Sequence, residues 1–149
     1  MIISTKGRYG LRAMFELAKA WEQGHLSIRQ IAAQQGLSEP YLEQIFPLLK
    51  SAGLVKSTRG AGGGYALSKE PKEISVGSVL TALEGELTPA DCVCGDADCE
   101  NAGTCTAHAI WRRIYDGINA VVEGISLQDM LDDDKRLTGE NQGLKKIRC

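Results

Sequence analysis

Ser27-Ile28-Arg29-Gln30-Ile31-Ala32-Ala33-Gln34-Gln35-Gly36-Leu37-Ser38-Glu39-Pro40-Tyr41-Leu42 contains two helix starts and one helix stop. Ser27 is an N-cap residue, and Gln30, three positions on, completes a capping box. Ile28, Ile31 and Ala32 form the inward face of the helix that follows, and Gly36 ends it. Only Leu37 separates that stop from the next cap, Ser38. A third helix then runs with Leu42, Ile45, Phe46 and Leu49 inward, until Gly53. Two short helices joined by a tight turn containing glycine form a helix-turn-helix pattern. Any small helical bundle could share these spacings, so the flanking residues have to decide.

The downstream flank favours the helix-turn-helix. Leu54-Val55-Lys56-Ser57-Thr58-Arg59 reads as a strand, Gly60-Ala61-Gly62-Gly63-Gly64 as a tip, and Tyr65-Ala66-Leu67 as the returning strand. A β-hairpin after a helix-turn-helix makes a winged helix. The tip lacks the Gly-Lys-Ser/Thr ending of a phosphate-binding loop. Without side chains at Gly62 and Gly63, its backbone can approach a DNA groove closely, and Arg59 at its base can enter that groove. Upstream, Leu11, Met14, Phe15, Ala18 and Trp21 lie at helical spacing and predict a first helix over residues 5–21 with one apolar face. Pro47 falls inside the third helix, where it removes a backbone donor.

Charge divides the chain in the same way. Residues 1–70 hold nine Lys/Arg against five Glu, a charge of +4; residues 71–149 hold eight Lys/Arg against fourteen Asp/Glu, a charge of −6, giving the overall −2. A basic first half beside an acidic second half predicts that the first half alone meets a polyanion. With 149 residues and 43% hydrophobic content, the chain suits one domain, or one domain with an arm. No run of eighteen apolar residues is present and the start has no apolar signal region, so a cytoplasmic location is expected. Reduced thiols in that compartment make clustered cysteines a sign of metal or redox chemistry before disulfides.

Such a cluster follows the hairpin. Ser75 caps a short helix carrying Val76, Val79, Leu80 and Leu83, and Gly85 ends it. Cys92, Cys94, Cys99, Cys105 and His108 come next, in a stretch too poor in large apolar residues to hold its shape by packing. The candidate ligand order is Cys92, six residues, Cys99, five residues, Cys105, two residues, His108. These gaps fit neither the paired cysteines of a zinc ribbon nor the full ferredoxin spacing, and such wide gaps favour an iron–sulfur cluster over zinc. Cys94 competes with Cys92 for the first position. From Thr106 a long helix carries Ala107, Ile110, Trp111, Ile114, Ile118, Val121, Val122 and Ile125 on one face. It predicts a dimer seam, since helix-turn-helix proteins read two half-sites as dimers. Ser126 caps a last short helix, and the polar chain from Asp132 is expected to be disordered. The predicted organisation is mainly α with a small β-hairpin wing: a DNA-binding domain over 1–85, a cysteine-rich loop over 86–107, a dimerisation helix and short last helix over 108–134, and a tail over 135–149.

Four stretches together carry a resemblance: Ser4-Thr5-Lys6-Gly7-Arg8-Tyr9, Tyr41-Leu42-Glu43-Gln44, Arg59-Gly60-Ala61-Gly62-Gly63-Gly64-Tyr65 and Cys105-Thr106-Ala107-His108-Ala109-Ile110-Trp111. The chain resembles the iron–sulfur cluster regulators of the Rrf family of winged-helix transcription factors over about residues 1–130. The resemblance implies a homodimer that binds operator DNA and holds a [2Fe–2S] cluster through Cys92, Cys99, Cys105 and His108. It implies Tyr41, Glu43 and Gln44 at base edges in the major groove and Arg59 in the minor groove. It further implies repression of cluster-assembly genes, with the cluster-assembly machinery as donor. The chain departs from that pattern at Pro40, where the family carries Ser, and in having six residues rather than five between Cys92 and Cys99. Relatives that sense nitric oxide through a [4Fe–4S] cluster carry an acidic ligand near the N-terminus; Arg8 stands there in this sequence. That class and a zinc-stapled DNA-binding protein are the alternatives.

Overall fold

A computed structural model describes residues 1–94 and 99–141. Six helices and one hairpin occur in the order α1 (Thr5–Lys19), α2 (Ile28–Gln35), α3 (Glu39–Ser51), β1 (Val55–Thr58), β2 (Gly64–Leu67), α4 (Val76–Glu84), α5 (Thr106–Glu123) and α6 (Leu127–Asn141). Short 3₁₀ turns at Pro71–Glu73 and Asp91–Val93 flank α4 and its following loop. The expected winged helix-turn-helix is present, mainly helical with one antiparallel hairpin.

Local chemistry explains the helix-turn-helix. The Ser27 N–H donates to Gln30 Oε1 at 2.8 Å, and the Gln30 N–H donates back to Ser27 Oγ at 3.2 Å. This reciprocal bond satisfies two donors that the helix start would otherwise leave unpaired. Gly36 closes α2 at φ +63°, a conformation that costs a residue with a Cβ, and Leu37 N–H reaches back to Ala32 O at 2.9 Å. Ser38 then caps α3 through the Tyr41 N–H. The third helix continues through Pro47 to Ser51, with Leu42, Ile45, Phe46 and Leu49 buried.

These side chains meet Met14, Leu17, Ile31, Leu67, Ile74 and Val79 in one core. The buried face of α1 differs from the sequence expectation. Gly7, Gly10, Ala13, Met14, Leu17 and Ala18 are buried, whereas Leu11, Phe15 and Trp21 are only half-buried. The reason is the close approach of α4: a Cβ on Gly10 would lie 2.0 Å from Leu83 Cδ1. Small residues form that contact, and a search for large apolar side chains does not see them. Glu84 at the end of α4 fastens the same junction, accepting from the N–H groups of Ser4 (3.1 Å) and Gly7 (2.8 Å) and from Ser4 Oγ.

The hairpin pairs Val55 with Leu67 and Thr58 with Gly64 at its two ends. Leu26, just before α2, adds a third short rung by exchanging both backbone hydrogen bonds with Tyr65, at 2.9 and 2.8 Å. The wing is thus fixed to the helix-turn-helix and does not hang free.

Beyond the loop, α5 has no fully buried residue. Ile118 and Val122 pack against Val76, Leu80 and Leu87, while Ile110, Trp111, Ile114, Val121 and Ile125 stay exposed. After α5 the chain turns back, with Val76 N–H donating to Ile125 O at 2.7 Å and Leu127 N–H to Ile74 O at 2.9 Å. The last helix starts on the main core, where Leu127 is fully buried and Met130 and Leu131 pack against it. One expectation fails here: the chain is not disordered from Asp132, since α6 continues to Asn141. Asp132–Lys135 and Asp133–Arg136 are paired one turn apart, and Thr138 Oγ1 donates to Asp134 O at 2.6 Å. Such exposed pairs contribute only a few tenths of a kcal/mol each, about enough to keep a polar helix going once packing has nucleated it. The remainder of the expected tail, with Cys149, lies outside the described residues.

Candidate nucleic-acid interface and cysteine loop

The outer face of α3 carries Pro40, Glu43 and Gln44, all exposed. Alternate faces of one helix therefore serve two purposes: Leu42, Ile45 and Phe46 hold it to the core, and Glu43 and Gln44 remain free to meet a ligand. Tyr41 is half-buried, its ring edge-to-face with Tyr9 of α1 at 5.5 Å between centroids and 78° between planes. Arg59, directly after β1, is exposed and makes no hydrogen bond or ion pair among the described residues. Lys50 at the end of α3 donates to Ser57 Oγ of the wing at 2.7 Å, joining the two elements while its cation stays accessible.

The two tip glycines differ. Nothing lies within 4 Å of a Cβ built on Gly62, so its bare backbone is not required by the fold. A Cβ on Gly63 would sit 2.1 Å from Thr58 O. The turn itself accounts for Gly63, whose N–H donates to Gly60 O at 3.0 Å.

The cysteine loop is built around α5. Val93 is buried and anchors the 3₁₀ turn that carries Cys92. A tight turn links Cys99 to Cys105, with Ala102 N–H on Cys99 O at 2.9 Å and Cys105 N–H on Asn101 O at 2.8 Å. Cys105 is the N-cap of α5, its Sγ accepting from the His108 N–H at 3.4 Å. The Cys105 thiol and the His108 ring therefore share one helix end. Nδ1 of His108 is buried and has no hydrogen-bond partner among the described residues. Cys92, Cys94, Cys99 and Cys105 are all free thiols, partly exposed. Cys94 is differently engaged: its Sγ donates to Glu86 Oε2 at 3.0 Å, and Tyr115 of α5 donates its hydroxyl to the other oxygen of Glu86. The hydrogen bond to the Glu86 carboxylate holds the Cys94 thiol and the Tyr115 phenol above their ordinary pKa values. Among the described residues no three His, Cys, Asp or Glu side chains converge as they would on one metal ion. Residues 95–98 of the cysteine-rich stretch lie outside those residues. No described helix is long and apolar enough to cross a membrane.

A buried helix-turn-helix core, an exposed third-helix face and a wing fastened beside it define a winged-helix DNA-binding protein. Comparison with known proteins agrees. The family described as "Rrf2: Iron-dependent Transcriptional regulator" matches residues 3–133. The chain is 38% identical over 135 residues to the HTH-type transcriptional regulator IscR of Aliivibrio salmonicida, covering 91% of this chain and 80% of that protein. It is 45% identical over 130 residues to the HTH-type transcriptional regulator CymR of Bacillus subtilis, covering 87% and 89%. The solved structure of T. potens IscR superposes with a TM-score of 0.73 at 39% identity, over 99% of this chain and 94% of that one. The solved structure of B. subtilis CymR, titled the global cysteine regulator, also gives 0.73, at 44% identity over 87% and 95%. The chain belongs to the Rrf2 family. It is a DNA-binding transcriptional regulator, IscR-like and CymR-like, and not an enzyme.

Proposed function

We propose that this regulator senses iron–sulfur cluster supply by holding a [2Fe–2S] cluster at Cys92, Cys99, Cys105 and His108, and represses cluster-assembly genes as a homodimer. The observation that carries the reading is His108 Nδ1, buried with no partner among the described residues, beside the free Cys105 thiol. A buried imidazole nitrogen is ordinarily satisfied, and metal ligation is one way to satisfy it. In this reading Cys92 is the first ligand, a choice supported by the hydrogen bond that engages Cys94 with Glu86. A bound cluster would supply the metal–thiolate links that tie the loop to the end of α5. The cluster-assembly machinery is the donor. The exposed stripe of Ile110, Trp111, Ile114 and Val121 meets the same stripe of a second copy. In the dimer, Tyr41, Glu43 and Gln44 meet base edges in the major groove. Glu43 accepts from cytosine N4 and disfavours the acceptor edge of guanine. Arg59 enters the minor groove, with the backbone at Gly62 and Gly63 close behind it.

The likeness to CymR supports a second reading, control of cysteine-related genes by a chain without a cluster. One experiment separates them: anaerobic purification, a visible spectrum, and iron, acid-labile sulfide and zinc analysis on one sample. About two irons and two sulfides per chain are expected. Four of each would favour the [4Fe–4S] alternative, and one zinc a structural staple. A colourless, metal-free protein that still selects a DNA sequence would leave the cysteine-regulator reading.

A further inference from the structure

Among the described residues, Glu16 of α1 is the one charged side chain that is buried, at 2% exposure. Lys19 Nζ lies 2.7 Å from its Oε1, and the Gln35 side-chain amide donates to the same oxygen. Gln35 is the last residue of α2, immediately before the turn of the helix-turn-helix. Its amide oxygen accepts from Arg12 Nε at 2.8 Å, and its backbone carbonyl accepts from an Arg12 Nη. The amide therefore has one allowed orientation. Flipped, it would set its N–H groups against a guanidinium and its oxygen against a carboxylate, losing both bonds. Glu16 thereby orients Gln35, and Gln35 holds Arg12 by two donors of its planar fork. The guanidinium carbon so held lies 5.8 Å from the centre of the Tyr9 ring, and Tyr9 in turn meets Tyr41 edge-on.

We infer that Arg12 and Tyr9 are positioning residues for DNA recognition: with Gln35 and Glu16 they hold the ring of Tyr41, so base preference at that position is set from the first helix. The inference rests on the proposed base-reading role of Tyr41. By sequence alone Arg12 counts as one more cation in a basic segment, a phosphate contact by default. The geometry gives it an internal task. An aromatic ring restrained on one side by Tyr9 reaches a base with less freedom to lose than an unsupported one. Lysine cannot replace Arg12 here, because a single ammonium cannot engage both oxygens of Gln35 and cover a ring in one fixed geometry.

The two roles differ in salt dependence and in specificity. Losing a phosphate contact weakens all duplexes alike and lowers the salt slope by about one. Losing a positioning residue lowers the preference for the specific duplex and leaves the slope unchanged. The test begins with sequence selection from a randomised duplex pool by the wild-type protein and by Tyr41→Ala. Binding of the selected duplex and of a random duplex is then measured against salt for wild type, Arg12→Lys, Tyr9→Leu and Tyr9→Phe, with thermal midpoints of each. Arg12→Lys and Tyr9→Leu are expected to lower the specific-to-random ratio about tenfold, relaxing the same base position as Tyr41→Ala, with random-duplex affinity and salt slope unchanged. Tyr9→Phe, which keeps the ring, should behave as wild type. An unchanged ratio in both Arg12→Lys and Tyr9→Leu overturns the inference. So does an equal loss on both duplexes or a shallower slope. If Tyr41→Ala selects the same sequence as wild type, the proposed reading of Tyr41 fails first, and that result is visible independently of the Arg12 and Tyr9 variants.

Discussion

Replacing Gly63 by alanine tests whether the wing tip is held by its own turn. The added Cβ would lie 2.1 Å from Thr58 O and 2.9 Å from the carbonyl carbons of Thr58 and Arg59. A carbon and a carbonyl oxygen tolerate about 3.3 Å, so the backbone must open by about 1 Å. That movement breaks the Gly63 N–H bond to Gly60 O and strains the Thr58–Gly64 end of the ladder. One lost hydrogen bond costs about 1 kcal/mol, and overpacking costs about 1–3 kcal/mol where the neighbours cannot move. The tip is at the surface and can melt locally, which limits the total to about 1–2 kcal/mol. Gly62→Ala is the control. Its Cβ meets nothing, so stability should hold or rise by up to about 1 kcal/mol as the unfolded chain loses freedom. Urea unfolding of both variants, with slopes compared to the parent, reads this as a midpoint lowered by roughly 0.5–1 M for Gly63→Ala only. Equal stability of Gly63→Ala and the parent would refute the steric argument, as would equal destabilisation by both substitutions. Because Gly62→Ala leaves the fold intact, any loss of duplex affinity in that variant reports close approach of the tip to DNA.

Two further predictions concern α5 and α6. Ile114→Asp puts a charge into the exposed stripe, where Ile114 is 39% exposed in the single chain. Sedimentation should show a dimeric parent and a monomeric variant with an unchanged helical spectrum; a variant that remains dimeric would exclude this face as the seam. At the start of α6, the carboxylate of Asp129 accepts from Ser126 N–H and Oγ, both at 2.7 Å, and these bonds hold its pKa below the usual 3.8. A carboxyl depressed in the folded state stabilises above its unfolded pKa and loses that contribution as pH falls through the folded value. The cap should therefore weaken only in acid, and Ser126→Ala should move the Asp129 titration, followed by NMR, back toward 3.8; an unmoved titration would sink the assignment.

Sequence alone determined what rests on neighbours in the chain. Ser27 with Gln30, Gly36, Ser38 and Ser75 announced their helix ends because caps act over three or four residues. The hairpin was legible from a glycine tip between two β-prone runs. The thiols and His108 stood out by spacing, although spacing could not separate Cys92 from Cys94. What separates their surroundings is a hydrogen bond from Cys94 to Glu86, eight positions away, which Tyr115 further along the chain also joins.

Tertiary structure decided what depends on residues distant in sequence. The close seam of α1 and α4 is made by Gly7 and Gly10, whose contribution is the absence of a side chain and so leaves no apolar signal. The extent of α6 followed from Leu127 reaching the core, which nucleates a helix that its polar composition would not start alone. The path from Glu16 through Gln35 and Arg12 to Tyr9 and Tyr41 joins three helices. A buried carboxylate, an amide and a guanidinium carry no shared motif along the chain, and only packing brings them within hydrogen-bonding distance.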